Sequence, residues 1–327
     1  MKILPIFIPH LGCPFDCVYC DQKTISKTEQ PDLNKIKELI KNFCKLNADI
    51  QKEIAFFGGT FTNLSEHKQQ EFFDLAHPFM DKKTNIRIST RPDAIFEDNL
   101  DFCKVNRVRT IELGIQSFDD EVLSQSKRNY TSEVGIQACK LIQKKGFELG
   151  IQLMPGLPGF SEKSLEKTIK ITLQINPSFV RIYPTIVLKG TELADLYEHG
   201  LYSPLSLDEA ISISADMLRT FNQNKIKVIK IGLHSDIESD QIIAGPYHQA
   251  FGELVRAELY MNRILKEFSN KTLCISRKDI SLFKGFNERM LQHLKTDLKL
   301  DKIPIMIDES LPKNRFLFTD ISPSDFW

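Results

Sequence analysis

Three cysteines lie close together near the start of the chain, at Cys13, Cys17 and Cys20. The other four of the seven cysteines stand singly in the sequence, and a lone cysteine is usually a small buried hydrophobe. A closed zinc site needs four ligands, commonly from two Cys-x-x-Cys pairs, and no second pair follows here. Three thiolates on one short loop can instead hold three irons of a [4Fe–4S] cubane and leave the fourth iron open. Such a cluster would have one open coordination position, where a substrate or a cofactor could bind.

Apolar runs of strand length alternate with amphipathic stretches of helix length behind this loop. Strands are expected at residues 4–8, 54–57, 86–89, 110–115, 149–153, 179–183 and 226–233, with helices at 33–46, 66–80, 131–145 and 207–223. Alternation of this kind predicts an α/β fold with a parallel sheet and helices outside it. The six strands up to residue 183 and the helical stretches between them most naturally fit an open partial (β/α)6 barrel, with a small α/β C-terminal extension.

The expected strands end in glycine and polar residues rather than in more apolar ones. These endings include Gly58, Gly59 and Thr60; Ser89, Thr90 and Arg91; Glu112 and Gln116; and Met154 in a turn rich in proline and glycine. Because the carboxyl ends of parallel barrel strands meet at one face, these residues are expected to surround one site. Glycine there lets the backbone approach a ligand closely.

The spacing Cys-x3-Cys-x2-Cys, with Tyr19 just before the last cysteine, resembles the signature of the radical S-adenosylmethionine (radical SAM) enzymes. This resemblance implies that the three cysteines hold a [4Fe–4S] cluster whose open iron binds SAM. It implies an enzyme that cleaves SAM reductively and abstracts hydrogen from an organic substrate. A reducing partner such as ferredoxin or flavodoxin is implied as well.

The resemblance also assigns SAM contacts at successive strand ends. The backbone of Tyr19 and the turn at Met154 are implied to contact adenine, and Gly58, Gly59 and Thr60 are implied to contact the methionine amino group. Contacts to ribose and carboxylate are implied for Ser89, Thr90 and Arg91, and contacts to ribose for Glu112 and Gln116. Thr60 stands where most of the superfamily has glutamate. No residue is assigned as the substrate-side acid or radical quencher, and Arg181, Tyr183 and Lys189 are candidates only.

Four further motifs resemble one branch, the radical SAM half of the elongator catalytic-subunit family, which are tRNA wobble-uridine acyltransferases. The motifs are Gly-Gly-Thr-Phe at 58–61, Gly-Ile-Gln-Ser at 114–117, Pro-Gly-Leu-Pro-Gly at 155–159, and Arg-Ile-Tyr-Pro-Thr at 181–185 together with Lys-Gly-Thr-Glu-Leu at 189–193. The resemblance covers about residues 1–235. Oxygen-independent coproporphyrinogen oxidases are similar more loosely. Since only about 90 residues follow Asp236, too few for an acetyltransferase domain, acetyl transfer is not expected.

Two domains are expected: a radical SAM barrel at 1–235 and an α/β extension at 236–327. Within the extension, residues 260–315 hold 12 basic and 7 acidic side chains and are mildly basic. The extension is predicted to contain a strand at 273–276, a helix at 279–294 and two further strands at 303–307 and 315–319. Residues 284–288, Lys-Gly-Phe-Asn-Glu, faintly resemble the turn of a KH module, which grips nucleotide backbones with Gly-x-x-Gly. Glu288 stands where the second glycine belongs, so a solvated α/β extension is the favoured interpretation.

The charge balance is neutral, with 43 basic and 43 acidic side chains. A neutral chain is not typical of proteins that bind nucleic acid by bulk electrostatics. No signal peptide or membrane-spanning run is expected, so the protein is expected to be cytoplasmic with reduced cysteines.

The favoured substrate is an RNA base, most simply in tRNA, by analogy with the elongator branch. A small metabolite, as for a coproporphyrinogen-oxidase-like enzyme, and a peptide are the alternatives. A non-catalytic iron–sulfur protein that binds RNA or acts as a sensor is the hypothesis from a different class.

Overall fold

The computed structural model describes residues 1–8, 11–21, 32–233, 237–269, 271–284 and 288–321. The chain divides into two compact units. The first unit comprises Met1–Ala210 and Thr220–Gln249, and the second comprises Ile211–Arg219 and Ala250–Trp327. The domain boundary predicted at 235/236 falls outside the described residues.

A parallel sheet of seven strands organises the first unit. Its strands are β1 (Lys2–Phe7), β2 (Lys52–Phe57), β3 (Thr84–Thr90), β4 (Val108–Gln116), β5 (Glu148–Leu153), β6 (Phe179–Ile182) and β8 (Lys227–Ile231). They follow one another in chain order across the sheet, and β8 lies beside β6. A short antiparallel pair, β7 (Val187–Leu188) and β9 (Ile242–Ala244), adds a second sheet that the sequence pattern does not predict.

Helices alternate with these strands. They are α1 (Leu33–Leu46), α2 (Glu66–Ala76), α3 (Glu97–Val105), α4 (Asp120–Gln125), α5 (Ser132–Lys144), α6 (Glu162–Ile175), α7 (Glu192–Glu198) and α8 (Leu207–Gln223). In α1, Asp32 caps the first turn, and Ile36, Ile40 and Cys44 form the buried stripe at four-residue spacing. The predicted α/β architecture with an open partial barrel is confirmed.

Aromatic packing joins β2 to the helix that follows it. The ring of Phe56 lies 5.4 Å from that of Phe61 and 5.5 Å from that of Phe72, and Phe61 also contacts Phe73 at 5.3 Å. All four side chains are fully buried. These contacts fix the end of β2, where the glycine turn begins.

The second unit contains α9 (Phe251–Glu267), β10 (Thr272–Ser276), α10 (Ile280–Lys284), α11 (Arg289–Leu298), β11 (Ile305–Asp308) and β12 (Phe316–Thr319). Its sheet has the order β11-β10-β12. The prediction of one helix over 279–294 is wrong in extent, because two helices occupy this region and Glu288 has a left-handed backbone, φ +58°. Residues 285–287, which carry the KH-like turn, lie outside the described residues.

Within the described part of the chain, no helix is both long enough and apolar enough to cross a membrane.

Candidate functional site

One cavity of about 380 Å³ lies within the first unit, at the carboxyl ends of the parallel strands. Ligand pockets in proteins are commonly about 300–1,000 Å³. All thirteen of the sequence-predicted site residues line this cavity: Cys13, Cys17, Tyr19, Cys20, Gly58, Gly59, Thr60, Ser89, Thr90, Arg91, Glu112, Gln116 and Met154. The fold therefore brings together residues from the cysteine loop and from the ends of β2 to β5.

Neighbouring segments hold the cysteine loop in place through its backbone. The Val18 N–H donates to the Ser126 carbonyl at 3.4 Å, and the Leu193 N–H donates to the Val18 carbonyl at 2.7 Å. The Val18 side chain is buried, and within the loop the Cys20 N–H donates to the Cys17 carbonyl at 3.0 Å. Two distant parts of the chain thus fix the conformation of the loop.

The glycine turn after β2 packs directly on this loop. A Cβ at Gly59 would collide with the Leu11 carbonyl oxygen, which accepts the Thr60 N–H at 2.9 Å. The Thr60 hydroxyl lies 3.3 Å from Cys13 Sγ. Only glycine fits position 59, because the two backbones touch there.

The three loop thiols are half-buried, whereas the four single cysteines are buried. Among the described residues, no three His, Cys, Asp or Glu side chains are close enough to hold one metal ion. In a cubane each thiolate binds a different iron, so the sulfurs need not converge on one point. Three accessible thiols around one cavity are a donor set that fits such a cluster.

A buried guanidinium that the sequence analysis missed lies beside the loop. Arg128 Nη1 lies 3.2 Å from Cys17 Sγ and 3.3 Å from the Tyr19 hydroxyl. Arg128 Nη2 donates to the Gly114 carbonyl and, at 3.2 Å, to the Tyr130 hydroxyl. Burial raises the pKa of both tyrosines, so both phenols are neutral at neutral pH. No local motif marks Arg128, which is why the sequence gives no signal for it.

Arg91 approaches the same sulfur in a different electrostatic setting. Its Nη1 lies 3.5 Å from Cys17 Sγ, while Nε and Nη2 each donate to the Asp93 carboxylate at 2.9 Å. Arg91 Nη2 also donates to the Arg128 carbonyl. The charge of Arg91 is therefore balanced by a carboxylate two residues away.

Alternating charges line the interior of the sheet. Arg87 donates to Glu53 and to Glu112, both at 2.7 Å, and Arg181 Nε lies 2.7 Å from Glu112 Oε2. All four side chains are largely buried. Glu112, which is expected to contact ribose, is thus held by two arginines. Its role toward a ligand stays a prediction.

A kink in the sheet lies where Gln116 enters the cavity. The register between β4 and β5 shifts between Gly114 and Gln116, and Gln116 has a left-handed backbone, φ +67°. The carbonyl of Gln116 accepts the Met154 N–H at 2.9 Å, and its side chain accepts from Gln152 at 3.3 Å. A left-handed backbone outside glycine costs about 1–3 kcal/mol and is concentrated at functional sites.

An apolar wall faces these polar groups across the cavity. It is formed by Ile3, Pro5 and Phe7 of β1 and by Phe57 at the end of β2. The rings of Phe7 and Phe57 are 6.3 Å apart, and the Arg181 guanidinium lies 5.2 Å from the Phe57 ring. The cavity therefore offers two aromatic rings, inclined at 46° to each other, beside a cation.

The three candidates for a substrate-side role are placed differently. Arg181 and Tyr183 line the cavity, and Arg181 Nη1 lies 3.1 Å from the Tyr183 hydroxyl. Burial raises the pKa of Tyr183, so this phenol carries its proton at neutral pH. Lys189 is exposed and is not among the lining residues.

Comparison with protein families gives two matches. The family model of the radical SAM superfamily matches residues 7–171, and that of the Radical_SAM C-terminal domain matches residues 177–262.

Two named relatives and one solved structure are similar to the chain. A tRNA uridine(34) acetyltransferase of Methanocaldococcus infernus is 33% identical over 51% of this chain and 32% of its own length. The heme chaperone HemW of Bacillus subtilis is 28% identical over 64% of this chain and 57% of its own length. The solved structure of Elp3 from Methanocaldococcus infernus, at 23% identity, has a TM-score of 0.62 and aligns with 80% of this chain and 62% of that one. At that identity the likeness shows the fold alone.

The chain spans between 31% and 65% of the length of four curated relatives that it matches.

Proposed function

The chain belongs to the radical SAM superfamily, and from this premise we propose that Cys13, Cys17 and Cys20 are the protein ligands of its [4Fe–4S] cluster. The observation that carries this proposal is the placement of three half-buried thiols around the cavity that the glycine turn and the strand ends also line. Held by these thiols, the cluster would supply the electron for the reductive cleavage of SAM, and hydrogen abstraction from the substrate would follow from that cleavage.

The residues of the chain bind and orient the cofactors. The backbone at Gly58 and Gly59 is open to the cavity and is proposed to meet the amino group of SAM. Gln116 and Met154, joined by a hydrogen bond at the kink between β4 and β5, are proposed to fix the adenosine. Ile3, Pro5, Phe7 and Phe57 give one part of the cavity an apolar lining.

The cluster assignment is tested with Cys17→Ala, reconstituted with iron and sulfide under anaerobic conditions. We expect the variant to lose the cluster and the formation of 5′-deoxyadenosine after reduction with dithionite. Cys44→Ala is the matched control, because Cys44 is a buried thiol of α1 outside the cavity. Cleavage of SAM by Cys17→Ala at the rate of the parent would refute the assignment.

For the substrate we propose a base of an RNA, most simply of a tRNA. The support is the similarity to a tRNA uridine(34) acetyltransferase, together with the charge balance of the cavity. Among the arginines that line the cavity, Asp93 neutralises Arg91 and Glu112 neutralises Arg181, whereas Arg128 beside Cys17 has no carboxylate partner among the described residues. The cation beside the aromatic wall, Arg181, is therefore already paired. An aromatic wall beside a neutralised arginine suits an uncharged planar ring.

Deuterium transfer tests this substrate class. A tRNA transcribed from deuterated nucleotides is incubated with the reconstituted enzyme, SAM and dithionite, and the 5′-deoxyadenosine is analysed by mass spectrometry. We expect deuterium in the product with tRNA and none with the free nucleosides. If no tRNA transfers deuterium, the RNA proposal is wrong while the cluster assignment stands.

The carboxylate-rich substrate of a coproporphyrinogen-oxidase-like enzyme is the second candidate, supported by the likeness to HemW. It fits the part of the cavity beside the aromatic wall less well, because Arg181 there is already paired with Glu112. Transfer of deuterium from a labelled porphyrinogen, but not from tRNA, would favour it.

Radical SAM enzymes need a reductant, and we propose a ferredoxin or flavodoxin in a reducing compartment such as the cytoplasm. A sensing role without catalysis predicts a redox-active cluster in a protein that never forms 5′-deoxyadenosine.

A further inference from the structure

Arg128 is buried, with 4% of its surface exposed, and it carries its charge into the wall of the cavity beside Cys17. All three guanidinium nitrogens have partners. Nε lies 3.3 Å from the Tyr130 hydroxyl, Nη2 contacts that hydroxyl and the Gly114 carbonyl, and Nη1 lies 3.2 Å from Cys17 Sγ. The planar fork is therefore fixed in one orientation.

Among the described residues, none of these partners is a carboxylate. They are a backbone carbonyl, the hydroxyls of Tyr130 and Tyr19, and a thiol. Arg91, the other guanidinium at Cys17, is neutralised by Asp93 at 2.9 Å and lies further from the sulfur, at 3.5 Å. Arg128 thus directs an uncompensated positive charge and an N–H group at one thiol of the loop.

We infer that Arg128 is a positioning residue that raises the reduction potential of the cluster through its contact with Cys17. This inference rests on the proposed function, since it takes Cys17 as a cluster ligand. The step is the transfer of one electron from a low-potential donor, with no bond made or broken. The added electron increases the negative charge on the sulfurs, and a buried guanidinium stabilises that charge more strongly than the charge before reduction.

The anchors explain why arginine suits this position better than lysine. The Tyr130 hydroxyl and the Gly114 carbonyl both contact one edge of the guanidinium fork. The Tyr130 hydroxyl is itself held in place by the hydrogen bond that it donates to the Ile115 carbonyl at 2.9 Å. Only the opposite edge is left for Cys17. A lysine would bring the charge but could not bond to both edges at once.

The test measures the midpoint potential without SAM. The parent, Arg128→Met and Arg128→Lys are reconstituted anaerobically, their cluster content is determined, and each is titrated with dithionite and mediators while the reduced cluster is followed by EPR. Arg109→Met is the control, because Arg109 is half-exposed and pairs with Glu148 away from the cavity. Cleavage of SAM plays no part in this measurement, so failure of the proposed function would be seen separately.

We expect the cluster of Arg128→Met to be harder to reduce. At the midpoint potential of the parent, its ratio of reduced to oxidised cluster should be about tenfold lower, which corresponds to a midpoint potential about 59 mV lower for a one-electron couple. Arg128→Lys should lie between Arg128→Met and the parent, and Arg109→Met should equal the parent. Variants with full cluster content and unchanged potentials would overturn the inference.

If the Arg128 variants do not retain a cluster, the inference is tested instead on the parent protein labelled with 15N-arginine. Pulsed EPR of the reduced cluster should then show a 15N coupling that persists in Arg91→Lys. Absence of this coupling in the labelled parent would overturn the inference as well.

Discussion

At the scale of single residues, burial separates two kinds of cysteine. Burial raises the pKa of Cys103 and of Cys139 to about 12, and it also raises the pKa of Cys44 and Cys274. The three loop cysteines are half-buried and line the cavity. Since the thiolate is the form that binds iron and attacks electrophiles, only the loop thiols are placed to react.

We expect this difference to appear in alkylation of the cluster-free protein. With iodoacetamide at about pH 8, roughly one in ten thousand Cys103 side chains is a thiolate, so its modification should be far slower than that of Cys17. Peptide mapping by mass spectrometry gives the rates, and reconstitution with the cluster should protect Cys13, Cys17 and Cys20. Modification of Cys103 as fast as that of Cys17 in the native protein would contradict this assignment.

At the scale of elements, each of four strands contributes one charge to the interior of the sheet. Glu53 on β2, Arg87 on β3, Glu112 on β4 and Arg181 on β6 form a chain of ion pairs whose charges cancel. The Thr110 hydroxyl donates to Glu53 at 2.6 Å. Because each charge has its partner on another strand of the sheet, removal of one leaves another buried without compensation.

Glu112→Gln should therefore destabilise the first unit, by about 3–5 kcal/mol in the free energy of unfolding. Glu148→Gln is the matched control on the adjacent strand, because its partner Arg109 is half-exposed, and it should cost at most about 1 kcal/mol. Urea unfolding followed by circular dichroism compares the two variants. Equal losses in both would show that the interior charges do not depend on one another.

At the scale of the whole molecule, equal numbers of basic and acidic side chains, 43 of each, limit how an RNA could be held. A neutral chain does not supply the extended positive surface that general RNA-binding proteins use. Binding of tRNA would then depend on shape and on the base in the cavity more than on many phosphates.

For tRNA we expect the affinity to fall at most about a hundredfold between about 50 and 200 mM salt, the equivalent of roughly four neutralised phosphates. Filter binding or fluorescence anisotropy over that range measures the slope. A fall of about a thousandfold or more would indicate a broad electrostatic interface instead.

The sequence by itself determined the local features of this protein. Cys13, Cys17 and Cys20 lie within one stretch of eight residues, and each strand-end motif comes immediately after the apolar run that forms the strand. Hydrophobic periodicity likewise predicted the order of strands and helices, because it reflects which face of each element is buried.

Only the tertiary structure decided which distant side chains meet. Arg128 lies 111 positions from Cys17, and Arg181 lies 69 positions from Glu112, so no sequence window contains either pair. The pairing of β7 with β9 could not be predicted from the sequence either, because both strands are too short to show a periodic pattern. These contacts depend on the register of neighbouring strands and on turns at positive φ, and that geometry exists only once the sheet has formed.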